Sequence, residues 1–174
     1  MNDFTFKKFV RGSKNFVVIT LFFSLLFLTY ACVDPTTGEC KCPYKGNNDL
    51  AIITLMIKAE AVAANSENMF IIRSIFAPNA HIVNERDGTE WNDPITHYLE
   101  LFDIFNFTGA KNFDIKEFGK GITSDTAYIK SSNSGIYTMN GGEPITYNNT
   151  NPKDTWILKK NKKGCWLITE YRYY

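Results

Sequence analysis

The stretch Asp154-Thr-Trp-Ile-Leu-Lys-Lys-Asn-Lys-Lys-Gly-Cys-Trp-Leu-Ile-Thr-Glu-Tyr-Arg-Tyr-Tyr174 decides the fold, because it predicts a β-hairpin at the end of the chain. Two runs rich in β-branched and aromatic residues flank the polar loop 161–164, which ends in glycine. In the first run Asp154, Trp156 and Leu158 share one face of the strand. Burying a carboxylate on such an apolar face is costly unless it has partners. Asp154 therefore lies either at a polar point of a pocket or at the exposed end of the strand.

Composition indicates a single globular domain that follows a leader. The chain has 174 residues, of which 44% are hydrophobic and 15% aromatic, enough for a substantial core. Residues 32–174 carry 15 basic and 17 acidic side chains, because four of the 19 basic and one of the 18 acidic residues precede Cys32. Since no basic excess remains in this part, nucleic acid is not an expected partner.

Residues 1–31 have the pattern of an export signal peptide. Basic side chains precede an almost wholly apolar stretch at 16–31, which is shorter than the roughly 20 residues of a membrane-spanning helix. The stretch ends in Leu28-Thr-Tyr-Ala-Cys32, which resembles a bacterial lipobox, in which the cysteine is lipidated. The leucine stands one position too far upstream, so plain secretion and an uncleaved signal anchor remain alternatives. We expect an exported, membrane-anchored protein of the cell envelope, periplasmic or on the outer surface, with Cys32 as the lipidation site.

Residues 32–47 are predicted to be a linker, because two prolines and two glycines lie among polar residues. Cys40 or Cys42 bridges to Cys165 and ties this linker to the domain, or all three are free thiols. The two histidines lie on separate predicted elements, and no Cys/His/carboxylate cluster is visible. We therefore expect no metal and no cofactor.

The domain at 48–174 is predicted to place its helices first and its strands last. A helix capped by Asn48 or Asp49 is followed by a second helix that stops at Ala77-Pro78, and then by a short strand at 80–84. Asp93-Pro94 starts a third helix, and strands and turns follow from Asn112 onward. This order indicates an α+β fold with helices on one face of a curved sheet.

That order, together with Phe-Ala-Pro-Asn-Ala at 76–80 and the Asp-x-Trp…Gly-x-Trp pattern of the hairpin, resembles the nuclear transport factor 2-like superfamily. Within it, the SnoaL-like and ketosteroid-isomerase-like branches are the most similar. The resemblance covers residues 48–174. It implies a cone, in which a curved antiparallel sheet wraps around the N-terminal helices and a pocket opens at one end. Because many such domains pair through the outer face of the sheet, a homodimer is also expected.

The catalytic residues that the resemblance implies are mostly replaced. The position of the general-base aspartate of the isomerase, eight residues after Phe76, is Asn84, which cannot shuttle a proton. The position of the oxyanion tyrosine falls on Glu60. The second oxyanion group, an aspartate two residues before an aromatic residue, matches Asp154 with Trp156. Steroid isomerisation is therefore not expected.

Asn84, Tyr98, Tyr128 and Trp156 are the predicted lining of a largely apolar pocket for a small hydrophobic molecule, although each is equally compatible with the core. The favoured interpretation is an exported, lipid-anchored module that binds this molecule, or a protein partner, without catalysis. The alternative is a SnoaL-like cyclase, dehydratase or isomerase that uses Asp154 as its acid or base. A third hypothesis is a structural role in an envelope assembly.

Overall fold

The computed structural model describes Cys42, Tyr44 and residues 46–174, apart from the side chains of 108–110, 116–120 and 152. The predicted leader, the predicted lipidation site Cys32 and most of the predicted linker lie outside the described residues. Within the described part, no helix combines the length and the apolar character that crossing a membrane requires.

Each helix of the described region begins behind a side chain that caps its free backbone N–H groups. Asn48 accepts a hydrogen bond from Ala51, and Asn68 accepts from the second and third residues that follow it. Asp93 caps the third helix in the same way, with Pro94 in the first turn. The helices are α1 (Asp49–Asn65), α2 (Met69–Ile75) and α3 (Pro94–Ile104).

The strands form one six-stranded sheet in the order β2-β1-β6-β5-β4-β3, which curls around the helices. Neighbouring strands are antiparallel, except that β1 and β6 run parallel. The strands are β1 (Phe76–Asn84), β2 (Thr89–Trp91), β3 (Phe105–Ile122), β4 (Thr126–Met139), β5 (Ile145–Lys160) and β6 (Trp166–Tyr173). The predicted cone-shaped α+β fold is confirmed, with one parallel pair in a sheet that was expected to be antiparallel.

Several predicted strand boundaries were wrong because packing overrides local breaking signals. Strand β1 starts at Phe76 and not at residue 80, since Phe76 and Ala77 are buried in the core while exposed Pro78 lies in an irregular stretch of the pairing with β6. Strand β3 begins at Phe105, directly after α3. The predicted strands 126–132 and 135–139 form one continuous strand, β4.

Hydrogen bonds and a disulfide connect the N-terminal end of α1, and the residues before it, to the β5–β6 hairpin. Asp49 accepts hydrogen bonds from Trp166 Nε1 at 2.8 Å and from Lys160 Nζ at 2.9 Å. A disulfide joins Cys42 to Cys165, next to Trp166. This decides between the two predicted states of Cys42 and Cys165, and Cys40 lies outside the described residues. The β5–β6 hairpin is therefore held against the N-terminal end of α1.

Candidate functional site

A cavity of about 240 Å³ lies among side chains from the inner face of the sheet and from α1 and α3. Helix α1 contributes Glu60, helix α3 contributes His97 and Leu101, and β3 contributes Lys111. Most of the remaining wall is aromatic and comes from four strands: Phe105, Phe107, Tyr137, Tyr147, Tyr171 and Tyr173. The cavity is therefore mainly apolar, with a few polar groups at defined points.

Glu60 is the centre of the largest polar cluster on this wall. Its side chain is fully buried, and its Oε1 accepts hydrogen bonds from the Tyr98 hydroxyl at 2.5 Å and from Lys111 Nζ at 2.7 Å. Its Oε2 is equally buried but accepts no hydrogen bond from any described residue. A buried ion pair stays intact only when its partners are held in good geometry. One carboxylate oxygen is thus doubly satisfied while the other is left unsatisfied.

Lys111 is positioned for this pairing by α1 and by two aromatic rings. The Asn65 side chain donates to the Lys111 carbonyl at 3.1 Å and accepts from its N–H at 2.9 Å. The ammonium group lies 5.1 Å from the ring centre of Phe107 and 5.2 Å from that of Phe113, within cation–π range. The charge of Lys111 is therefore held beside Glu60 in a largely buried position.

Gly135 allows β3, β4 and β5 to approach closely at this wall. A Cβ atom at this position would lie 2.8 Å from the Tyr147 hydroxyl and 3.0 Å from the Cα of Lys111. Any other residue would displace Tyr147 or separate β4 from β3. The absence of a side chain here lets the Tyr147 ring occupy the wall.

Asp154 is a second buried carboxylate on the inner face. Its Oδ2 accepts a hydrogen bond from the Asn133 side chain, and its Oδ1 accepts none from the described residues. Burial raises the pKa of Asp154 to about 7, against the lowering effects of the Asn133 hydrogen bond and the Lys111 charge. Asp154 does not line the cavity itself, whereas Asn133 does. The carboxyl group therefore lies one residue behind the wall.

His97 is a buried aromatic neighbour of the Glu60 cluster. Its ring lies 4.5 Å from Trp91 and 4.9 Å from Tyr98, measured between ring centres. Burial, reinforced by the Lys111 charge, lowers the pKa of His97 to about 3. His97 is consequently neutral at physiological pH, and its Nδ1 has no hydrogen-bond partner among the described residues.

Of the predicted lining residues, Asn84 lies on the cavity wall. Its side chain also donates to Asp87 at 3.0 Å and accepts from the Arg86 N–H at 3.1 Å, so it closes the turn after β1. On the same strand, His81 Nε2 lies 3.0 Å from Glu90 Oε2. Asn84 thus has a structural role as well as a place in the site.

The other three predicted lining residues lie elsewhere. Trp156 is fully buried, stacks on Tyr171 at 3.7 Å and donates to the Ser131 hydroxyl, so it belongs to the core behind the wall. Tyr98 is also fully buried and reaches the site only through Glu60. Tyr128 lies on the opposite face of β4, because the alternation of the strand turns Ala127 and Ile129 inward. None of these three side chains lies on the wall of this cavity.

Sequence reasoning missed Lys111 and the tyrosines of β6 as site residues. Lys111 forms its ion pair with a residue 51 positions away, which no local pattern signals. On β6, Trp166 and Ile168 are buried, and simple alternation would continue with residues 170 and 172. A register irregularity between β5 and β6 leaves Thr169 without a partner residue in the strand pairing and turns Tyr171 inward.

Comparison with known proteins supports the fold and does not extend to activity. No protein-family model and no curated protein sequence matches the chain. A solved ketosteroid isomerase-like protein from Erwinia carotovora atroseptica is similar with a TM-score of 0.59 and 20% identity, over 73% of this chain and 95% of that one. An NTF-2 like protein of unknown function from Silicibacter pomeroyi is similar with a TM-score of 0.53 and 16% identity, over 72% and 93%.

A third solved structure, an NTF2-like protein from Cytophaga hutchinsonii, has a TM-score of 0.51 and 12% identity, over 72% of this chain and 97% of that one. These identities are too low to carry a function from one protein to another. With its helix-lined curved sheet, the described domain has the nuclear transport factor 2-like, ketosteroid-isomerase-like fold.

Proposed function

We propose that the cone domain binds a small, largely apolar molecule in the cavity between α1, α3 and the inner face of the sheet. The observation that carries this proposal is the aromatic wall around a buried carboxylate with one unsatisfied oxygen. Buried polar atoms normally have hydrogen-bond partners, so an unsatisfied one beside a cavity favours a ligand contact. A domain selected only for stability has no need of this arrangement.

The size of the cavity limits the ligand. Sites for drug-sized molecules usually measure roughly 300–1,000 Å³, and this cavity measures about 240 Å³. A molecule with a single ring or two fused rings fits this volume and can pack against the aromatic wall. Larger polycyclic molecules would have to displace wall residues.

Binding without catalysis is favoured by the protonation properties of the site. The position at which the resemblance implies a general base is Asn84, which has no titratable proton. His97, with a pKa of about 3, is a weak base at neutral pH. The described wall therefore has aromatic and polar groups that can contact a ligand. Neither Asn84 nor His97 on this wall can act as an effective base near pH 7.

The test is calorimetric titration of the folded domain with three bicyclic probes: indole, benzofuran and coumarin. We expect at least one of them to bind at a single site. Leu101→Trp fills the cavity from α3 and should abolish binding, whereas Leu99→Trp changes the same helix at an exposed position outside the wall. Absence of binding by all three probes, or equal loss of binding in both variants, would overturn the proposal.

A second candidate function is acid–base catalysis by Asp154, which the pKa of about 7 favours. The probe is 2-tetralone, a bicyclic ketone with acidic C–H bonds, followed by NMR for deuterium uptake in D₂O. Catalysis predicts exchange faster than in buffer, a rate that rises through about pH 7, and loss of the acceleration in Asp154→Asn. Exchange at the buffer rate would argue against proton abstraction by Asp154 from a ketone of this kind.

We also propose that the domain is exported and anchored to the cell envelope through Cys32. The Cys42–Cys165 disulfide supports this proposal, because disulfides persist mainly in oxidising compartments. In a bacterial host, the full chain should enter the membrane fraction and incorporate labelled fatty acid. Cys32→Ser should lose the label, and Cys40→Ser is the matched control. A wild-type chain that stays unlabelled and soluble would contradict the anchor.

A further inference from the structure

The two oxygens of the Glu60 carboxylate have different hydrogen-bond environments. Both described donors, the Tyr98 hydroxyl and the Lys111 ammonium group, contact Oε1. Oε2 remains buried without a partner, although Glu60 lies on the cavity wall. An unsatisfied oxygen of a buried charged group costs more free energy than a neutral one. A ligand group that donates a hydrogen bond to Oε2 would remove this cost.

We propose that the cavity selects a neutral, apolar ring molecule that carries an N–H or O–H donor, and that this donor binds Glu60 Oε2. The inference rests on the proposed binding function and specifies the ligand class. The ring system packs against the tyrosine and phenylalanine side chains of the wall, and the donor supplies the hydrogen bond that Oε2 lacks. The aromatic wall thus contributes apolar contacts, and Glu60 contributes both affinity and orientation through the hydrogen bond.

The charges around Glu60 explain why the donor should be neutral. Lys111, 2.7 Å from Oε1, already compensates the carboxylate, so a cationic ligand gains little from a second ion pair while losing its hydration. At Oε2 a carbonyl group is disfavoured, since its oxygen would face a carboxylate oxygen with no proton between them. The resemblance implied a tyrosine donor at this position, and the carboxylate reverses the preference from acceptor ligands to donor ligands.

Indole and benzofuran provide a matched test, because they have nearly the same shape and only indole carries an N–H donor. A hydrogen bond to a charged group corresponds to roughly a ten- to hundredfold difference in affinity. We expect the wild-type domain to bind indole more tightly than benzofuran by this factor. Coumarin, which offers only acceptors, should bind no better than benzofuran.

The variant Glu60→Leu/Lys111→Met removes both charges and both carboxylate oxygens, so neither an uncompensated charge nor an acceptor for the indole N–H remains at position 60. Its ratio of benzofuran to indole dissociation constants should fall to near one. Glu90→Leu makes the same change at an exposed carboxylate that pairs with His81, and it should keep the wild-type ratio. A measurement that needs no variant is the N–H proton resonance of bound indole, which should move downfield on binding.

The outcomes separate the two proposals. Equal affinities of indole and benzofuran in the wild-type domain, with an unshifted N–H resonance, would overturn donor selection and leave cavity binding intact. Absence of binding by both compounds would overturn the binding function and the inference with it. A ratio that survives in the double variant would show that a group other than Glu60 receives the donor.

Discussion

The inner face of one sheet has two halves with opposite character. In the packed half, inward positions are aliphatic or aromatic and fully buried against α1: Ala127, Ile129, Trp156, Leu158 and Ile168. In the cavity half, the same strands carry polar and phenolic side chains: Asn133, Tyr137, Tyr147, Asp154 and Tyr173. Strand β4 changes from one character to the other within a few residues, between Ile129 and Asn133.

The difference indicates that stability and recognition are located in separate parts of the cone. The packed half satisfies the ordinary rule that buried positions are apolar and close-packed. Around the cavity half this rule is broken by Asp154 on the sheet, Glu60 on α1 and His97 on α3, each of which has a buried polar atom without a described partner. Departures of this kind are expected at functional sites, where they reduce stability.

The largest expected effect comes from Asp154 in the cavity half. Its pKa is about 7 in the folded domain, against a value of 3.8 for an unperturbed aspartate. The folded state therefore retains a proton that the unfolded chain releases, and the contribution of Asp154 to the free energy of unfolding falls by about 4 kcal/mol as the pH rises from about 4 to 7. Asp154→Asn should remove this loss. Urea unfolding across this pH range measures it, and a variant with the wild-type pH dependence would contradict the assigned burial.

His97 should produce the opposite pH dependence. Its pKa is about 3 in the folded domain, against 6.5 ordinarily, so the unfolded chain takes up a proton that the folded domain excludes. The contribution of His97 to the free energy of unfolding therefore falls as the pH decreases below about 6.5, by about 3 kcal/mol between pH 6.5 and 4. His97→Phe should remove this loss in the same urea experiment. Because the two effects oppose each other, the wild-type curve is flatter between pH 4 and 6.5 than either variant's curve.

In the packed half, Leu158→Ala should act on stability and leave recognition unchanged. Leu158 is fully buried in the core, so truncation leaves a cavity and costs about 3 kcal/mol. Urea unfolding at a fixed pH measures the loss, and titration with indole should give the wild-type affinity. A decrease in the affinity for indole comparable to the loss of stability would show that the two halves are coupled. Stability and recognition would then not be located in separate parts of the cone.

The smallest expected effect concerns the helix that carries His97 and Leu101 into the cavity. Asp93 accepts hydrogen bonds from the N–H groups of Ile95 and Thr96 at the start of α3. The hydrogen bond from the Thr96 hydroxyl lowers its pKa most, and the two backbone contacts lower it further. Asp93→Ala should cost about 1 kcal/mol. Asp93→Asn, which keeps the cap, is the control. An unchanged unfolding midpoint in the alanine variant would mean that packing alone holds α3.

The packed half was more predictable from sequence than the cavity half. The hairpin, the capped helices and the alternation of Trp156 and Leu158 follow from local pattern, and they lead to the correct fold. The site depends on the distant pair Glu60–Lys111 and on the irregularity at Thr169, which turns Tyr171 inward. Neither has a local signal, because each arises only when strands and helices pack together.

The most direct test of ligand binding in the cavity half is a set of intermolecular NOEs between bound indole and the domain. Binding in the cavity predicts contacts from the indole ring to Leu101, Tyr147 and Tyr173, with the N–H proton nearest the Glu60 side chain. Contacts confined to exposed apolar residues such as Leu55 and Val62 on α1 would contradict it.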